Sequence, residues 1–445
     1  MLETIKNSWK IPELRNKILF TIFALLIFRL GSAIPVPFID NDGLSERLSS
    51  ASATIFGLLN VMSGDAFAHA TVFALSIQPY INASIIIQLL AVAIPALERM
   101  QKEEGEEGKK KIASITRYVT VAIGFLQGYG YYALIKSYGL LETIDGASTL
   151  ENVWMAIVII VAFTAGSSFL MWLGEQITEF GIGNGISIIL FASIISRGPH
   201  LVATMYYGAQ KYLGIISSSS YVSIPVWAIP ILVLCMLLIV MLVVFINGSE
   251  RRIPVQYAKR VVGRKMYGGQ STHLPMKVNM SGVLPIIFAQ SIASIPATIG
   301  AFVPSASVDG TGWNKFLTVF DSTGLFYSIV YFLLIIGFSY FYGSIQFNPV
   351  EVSNNLKKNG GFVPGFRPGR PTADFLKKVL NKVTMFGAIY LGVLAIAPII
   401  VTNLFGISRL AIGGTSVIIV VGVALETVKN MEAQMMMRHY KGFLE

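Results

Sequence analysis

The sequence predicts an all-α polytopic membrane protein with ten transmembrane helices divisible into two inverted five-helix halves, and three observations carry that expectation. Of its 445 residues, 54% are hydrophobic and only 13% charged, about half the charged share of an ordinary soluble domain. Ten apolar runs are each long enough to cross a hydrocarbon core, which takes about 20 residues. The basic residues gather in alternate connections between those runs.

The ten runs are 18–36, 72–97, 115–138, 153–173, 182–205, 222–246, 280–302, 325–347, 379–403 and 411–428. The first could be taken for a cleavable signal sequence. Arg29 interrupts it, however, and Pro35 and Pro37 stand in place of a small-residue cleavage site, so it reads as a retained span. Arg29 lies near one end, where its long stem can snorkel to the interface.

Lysine and arginine in short loops are retained on the cytoplasmic side. The amphipathic segment 1–17 (Lys6, Lys10, Arg15, Lys17), the loops 98–117, 247–278 and 348–378, and the tail 429–445 hold most of them. The opposite connections carry Arg47, Lys136, Arg197, Lys211, Lys315 and Arg409. With ten crossings all five basic segments fall on one face, and both termini are expected in the cytoplasm. Two halves follow, 18–205 and 206–428, and the odd number of spans in each forces them to run in opposite directions. That permits an inverted repeat with a path at the interface between halves; the inference comes from topology, since the halves share no convincing residue-level similarity.

A net charge of +10 would suit a nucleic-acid binder only if the basic residues formed the surface of a polar domain. Cys235 lies in an apolar run, and His69, His200, His273 and His439 have no ligand spacing, so neither disulfides nor a metal site are expected. GIGNGIS at 181–187 opens a span and follows no strand, so it is not a dinucleotide fingerprint; GEEGK at 105–109 lacks the interval of a phosphate loop. No Ser-Lys or Ser-His pair, no HExxH and no paired intramembrane aspartates occur, and Glu175 and Glu179 sit at a span end as loop carboxylates. The chain is therefore expected not to be an enzyme, to need no cofactor, and to draw energy from outside.

Residues 53–70 place Ile55, Leu58, Leu59 and Met62 at helical spacing, but the stretch before Gly64 is too short to cross the bilayer. Two readings stand: an interfacial amphipathic helix outside the membrane, or a re-entrant piece surrounded by protein or a water-filled cavity, with Gly57 and Gly64 allowing motion. The second span is polar for one facing lipid, with Ser76, Gln78, Asn82, Ser84 and Gln88; Gln78, Ile81, Ile85 and Gln88 share one helical stripe. In the seventh, Ile287, Gln290, Ser291 and Ser294 share a face. These mixed faces could meet each other across a cavity, or pack as ordinary polar helices.

Several stretches, in order, carry a family resemblance: QPYINASIIIQLL from Gln78, KEEGEEGKKK after it, EFGIGNGISI from Glu179, QYAKR from Gln256, QSTHLPMKVNMSGVLPIIFA from Gln270, NPVEVSNNLKKNGGFVPGFRPG from Asn348 and GGTS from Gly413. Together they resemble the SecY family, which includes the translocon α-subunit of the endoplasmic reticulum. The resemblance implies a protein-conducting channel of the bacterial cytoplasmic membrane, with two clamshell halves around a central pore and a lateral gate between the second and seventh spans. By position it implies a pore ring of Ile81, Ile85, Ile186, Leu190, Ile287 and Ile419, and a plug at 54–68 with Ile55, Leu58, Leu59, Met62 and Gly64. Gln78, Asn82, Ser84, Gln88, Gln290, Ser291 and Ser294 fall at the gate. Leu190 stands where the family usually has isoleucine, and Asn82 where it more often has a hydroxyl residue.

The same resemblance makes the two long basic loops docking surfaces for the SecA ATPase and the ribosome. It points to Arg251, Arg252, Lys259, Arg260, Arg264 and Lys265 in one, and Lys357, Lys358, Arg367 and Arg370 in the other, with Arg367 foremost. SecE and SecG are the implied partner subunits, and signal sequences and unfolded secretory polypeptides the implied clients. From residues alone, a five-plus-five secondary solute transporter is the rival, but the middles of the second, fifth, seventh and tenth spans lack the ionisable groups that ion coupling needs.

Overall fold

Asparagine and proline set where several helices begin. The side chain of Asn184 accepts hydrogen bonds from the backbone N–H of Ile186 (3.1 Å) and Ser187 (3.4 Å), and Asn348 caps the helix after it in the same way through Val350 (3.1 Å). Each cap satisfies donors that a helix start leaves without partners. Pro12 and Pro79 occupy first-turn positions, where the absent N–H costs nothing.

The computed structural model describes residues 2–50, 59–60, 62–102, 104–141, 149–215, 224–257, 260–262, 265–267, 271–280, 282–293, 295–296, 324–405 and 413–441. Helices occupy all ten predicted spans: Pro12–Gly31, Gln78–Ala93, Gly105–Ser137, Thr149–Phe180, Gly185–Ser196 continued by Gly198–Tyr212, Ala228–Gly248, Leu284–Ala293, Leu325–Gln346, Arg370–Phe405 and Gly413–Lys441. By length and hydropathy alone, five of the described helices suffice to cross a membrane, while Gln78–Ala93 and Leu284–Ala293 are shorter apolar helices.

Several ends differ from the hydropathy boundaries for local reasons. The second helix starts only at Gln78 and stops at Ile94, whose extended backbone precedes Pro95; a residue before proline is pushed out of the helical region. The fifth span breaks at Arg197, ahead of Gly198 and Pro199, and its second helix runs to Tyr212. The tenth helix continues through the predicted tail to Lys441.

At the chain ends, the N-terminal helix Leu2–Lys10 packs against the end of the tenth. Ser8 Oγ donates to Met435 Sδ (3.4 Å) and Lys17 Nζ to Gln434 Oε1 (3.3 Å), so both termini lie at one end of the molecule.

The basic connections, expected as loops, are folded. Strands β1 (Glu250–Tyr257) and β4 (Ser271–Lys277) form an antiparallel hairpin, and β2 (Arg260–Val262) pairs with β3 (Lys265–Tyr267) in the same register toward its tip. Strand β5 (Gly361–Phe362), from the other basic connection, adds to the free edge of β1. Alternation along β1 buries Ile253 and Val255 against Met276, Leu356, Val363, Leu376 and Leu380 and leaves Arg252 outside. The two basic connections are thus one small unit with its own apolar core.

Close backbone approach fixes the interior. A Cβ on Gly166 would lie 1.9 Å from the carbonyl oxygen of Val72, and one on Gly185 2.0 Å from that of Gly174. Outward, the Ala228–Gly248 helix shows Leu234, Met241 and Phe245 largely uncovered, as a lipid-facing helix should.

Candidate functional site

Six aliphatic residues from four helices belong to one buried apolar core. Ile81 and Ile85 stand one turn apart on Gln78–Ala93, Ile186 and Leu190 one turn apart on Gly185–Ser196, and Ile287 and Ile419 come from Leu284–Ala293 and Gly413–Lys441. Five of them are at most 4% exposed, and Ile186 is half-buried against the rest. Leu190, the departure from isoleucine, is fully packed at 1%. The arrangement offers neither a charge nor a hydrogen bond, and a narrowing so lined excludes water and ions by dewetting.

Beside this cluster the second and seventh helices face each other through polar groups. Gln78 Nε2 donates to Ser291 Oγ at 3.5 Å, and both residues are buried with Gln290. Among the described residues, the buried side-chain oxygens of Gln78 and Gln290 have no hydrogen-bond partner. One turn series further, Gln88 donates to Ser84 Oγ (2.9 Å) and accepts from the hydroxyl of Tyr342 on the eighth helix. Asn82 is half-buried, and Ser294 lies outside the described residues. Tyr342 escaped the sequence reading, because its partner is 254 positions away and no local pattern marks it.

Ile55 and Leu58 also lie outside the described residues. The described remainder of that segment is packed in protein, not laid on a surface: Met62 belongs to the same large apolar core as the six aliphatic residues, and Ser63, Ala66, Phe67 and Ala70 are buried. Of the two readings of 53–70, the exposed interfacial helix therefore does not hold for these residues. Leu59 is half-buried against a neighbouring apolar cluster, and Gly64 turns the chain with φ +68°. Ser76 Oγ donates to the carbonyl of Met62 (3.1 Å), and Tyr131 Oη donates to that of Phe67. Arg29 does more than snorkel: its Nη1 donates to the carbonyl of Gly64 at 3.3 Å.

On the folded basic unit, Arg251, Arg252, Lys357, Lys358, Arg367 and Arg370 are all exposed. Arg252 Nε contacts Glu250 Oε1 at 2.8 Å. Arg260 and Lys265 sit in β2 and β3 near the hairpin tip, and Lys259 and Arg264 lie outside the described residues. The Arg367 turn is braced from within, since Thr372 Oγ1 donates to the Arg367 carbonyl (2.8 Å) and Ser353 Oγ to that of Gly369 (2.7 Å). A cleft of about 220 Å³ runs from Asn247, at the end of the Ala228–Gly248 helix, and Lys277, at the base of the hairpin, to Ser187, Leu284 and Gly422 on three of the four helices that carry the six aliphatic residues. Among the described residues no cluster of three or more His, Cys, Asp or Glu side chains could hold a metal.

A family model, SecY, matches residues 71–428, which takes in nine of the ten spans and every cluster described above apart from 59–70 and Arg29. The chain belongs to the SecY family. Over 452 residues it is 44% identical to the protein translocase subunit SecY of Streptomyces coelicolor, and over 462 residues 43% identical to that of Mycobacterium bovis, with all of each chain covered. Its fold matches a protein-conducting channel (TM-score 0.64, 18% identity, 94% of this chain and 92% of that one). It also matches Sec61 in a canine ribosome-channel complex (TM-score 0.60, 18% identity, the same coverage). As a SecY-family chain it is a multi-pass, non-catalytic channel subunit of a protein translocase, with the ten-helix, two-half fold of that family. The solute-transporter alternative falls with this membership.

Proposed function

We propose that this chain carries unfolded secretory polypeptides through a waist formed by Ile81, Ile85, Ile186, Leu190, Ile287 and Ile419, and releases apolar segments sideways between its second and seventh helices. The observation that carries this reading is that those six side chains, from both halves, share one buried apolar core that also holds Met62. Residues 54–68 act as the plug on this reading. Halves 18–205 and 206–428 open about the connection between the fifth and sixth spans.

The energetics fit a signal-operated gate. Each Leu or Ile contributes roughly half a kcal/mol on insertion scales, so an apolar core of about ten residues supplies roughly 5 kcal/mol. Moving a two-state equilibrium from 1:99 to 99:1 takes about 5.5 kcal/mol of differential binding. A signal sequence that fits only the parted helices is therefore sufficient to shift the gate without any nucleotide chemistry in this chain.

On this reading the basic connections lie on the cytoplasmic side of a bacterial inner membrane, with both termini there as well. Their exposed cations suit the acidic surfaces of SecA and the phosphates of ribosomal RNA, and a Sec61 relative is known in a ribosome-channel complex. SecE and SecG complete the complex on this reading. The test is a photoreactive side chain at Ile85 or Ile287 in a complex stalled with a secretory precursor. Capture of the precursor is expected at both positions, and capture at neither would remove the waist from the path.

A further inference from the structure

We propose that Arg197 and Asp65 form a latch that holds the plug shut and sets how apolar a signal sequence must be to open the channel; this rests on the plug reading of 54–68. Arg197 Nε lies 3.2 Å from Asp65 Oδ1, with only 20% and 34% of the two side chains exposed. The same carboxylate oxygen accepts from Asn60 Nδ2 at 2.9 Å, and the Asp65 N–H donates to the Asn60 carbonyl at 3.0 Å. Gly64 and Asp65 both have positive φ (68° and 74°), a turn that glycine adopts freely and aspartate tolerates only with local help. A Cβ on Gly64 would lie 3.0 Å from the Ser193 carbonyl, so this turn is seated directly on the fifth span.

The position of Arg197 ties that contact to the waist. Ile186, Leu190, Ser193 and Arg197 are separated by four, three and four residues, which puts them on one stripe of the fifth span. Arg197 caps the end of Gly185–Ser196 at the break before Gly198 and Pro199. Parting the waist by moving this helix carries the guanidinium away from Asp65, and releasing Asp65 removes a restraint on the helix. The contact exists in the closed arrangement and is lost in the open one, so it raises the differential binding that a signal must supply.

The experiment uses the full chain with its partner subunits in proteoliposomes. Arg197→Gln and Asp65→Asn should each raise the resting chloride leak about tenfold, the effect of losing one charge-assisted hydrogen bond from the closed state. Each should also admit a precursor whose signal core is shortened by a few leucines. Arg197→Lys should restore most of the discrimination, and the double variant should exceed neither single one, because both remove the same contact. Wild-type leak and discrimination in both single variants would overturn the latch.

A deletion of 54–63 separates the two readings. If the deletion leaks and Arg197→Gln does not, the latch fails and the plug stands; if neither leaks, the plug reading fails first. Should the single variants not assemble, Asp65→Cys with Arg197→Cys in a Cys235→Ser background, bridged by a bis-maleimide, should block transport. Full transport through the bridged protein would equally overturn the latch.

Discussion

Gln78 on the second helix and Ser291 on the seventh are joined across the proposed gate by a hydrogen bond of 3.5 Å, at the long limit for such a contact, while the buried Gln78 and Gln290 side-chain oxygens find no partner among the described residues. A buried acceptor left unpaired costs about 1–3 kcal/mol. This interface is therefore held below its best stability, which suits the proposed gate. Gln78→Leu removes the unpaired acceptor, gives up only the long hydrogen bond to Ser291 and adds apolar contact, so it should stabilise the proposed gate by about 1–2 kcal/mol. Transport rates for precursors with graded signal cores would reveal this as a loss of about tenfold for the least apolar signal, with the most apolar one spared. Equal rates across the series would mean that the seam is not where signals act.

The waist makes a separate prediction. Ile287→Asn places an amide among the five other aliphatic side chains, where it attracts water instead of repelling it. Ion conductance across planar bilayers should rise at least about tenfold, whereas Ile287→Leu, a swap of equal volume costing less than about 1.5 kcal/mol, should stay tight. An ion-tight Ile287→Asn channel would show that the seal is made elsewhere.

How much of this was legible in the sequence depended on the range of the interaction. Helix placement, the paired isoleucines at 81 and 85, and the polar stripe through Gln78 follow from periodicity over one or two turns. The family resemblance supplied the rest of the six aliphatic positions. Hydropathy runs cannot register a backbone break, so the stop before Pro95 and the kink at Arg197 moved the helix ends. In β1, the apolar alternation of Ile253 and Val255 was masked by Arg251 and Arg252, and the strand partner β5 lies about a hundred residues on. The contacts of Arg29 with Gly64 and of Arg197 with Asp65 span 35 and 132 positions, and nothing local announces either.

Packing of the fourth helix against residues 71–77 can be tested through a glycine. Gly166→Ala would bring a methyl group to 1.9 Å from the Val72 carbonyl, a backbone atom that cannot rotate aside. Overpacking of this kind costs about 1–3 kcal/mol, so thermal unfolding of the detergent-solubilised complex should occur several degrees lower. Gly198→Ala, where a Cβ meets nothing within 4 Å, is the control expected to match the parent. Equal midpoints for both variants would show that the Val72 strap yields freely.

Arg367 offers the sharpest test of the basic unit, because its backbone is fixed while its side chain is free to be read by a partner. Thr372 Oγ1 donates to its carbonyl at 2.8 Å, and the adjacent Phe366 ring stacks on Phe375 with centroids 4.2 Å apart. An exposed substitution away from such braces changes stability by less than about 0.5 kcal/mol, so Arg367→Glu should assemble normally. Precursor transport should nonetheless fall about tenfold, since reversal of one charge both removes an attraction and adds a repulsion toward an acidic surface. The parent's binding to SecA or ribosomes should weaken steeply with salt, and the variant's less so. Arg367→Lys should bind with intermediate strength, because a lysine keeps the charge but not the planar fork that engages carboxylate or phosphate in two places. Normal transport by Arg367→Glu would leave the charge of this unit with no role beyond holding the connection on the cytoplasmic side.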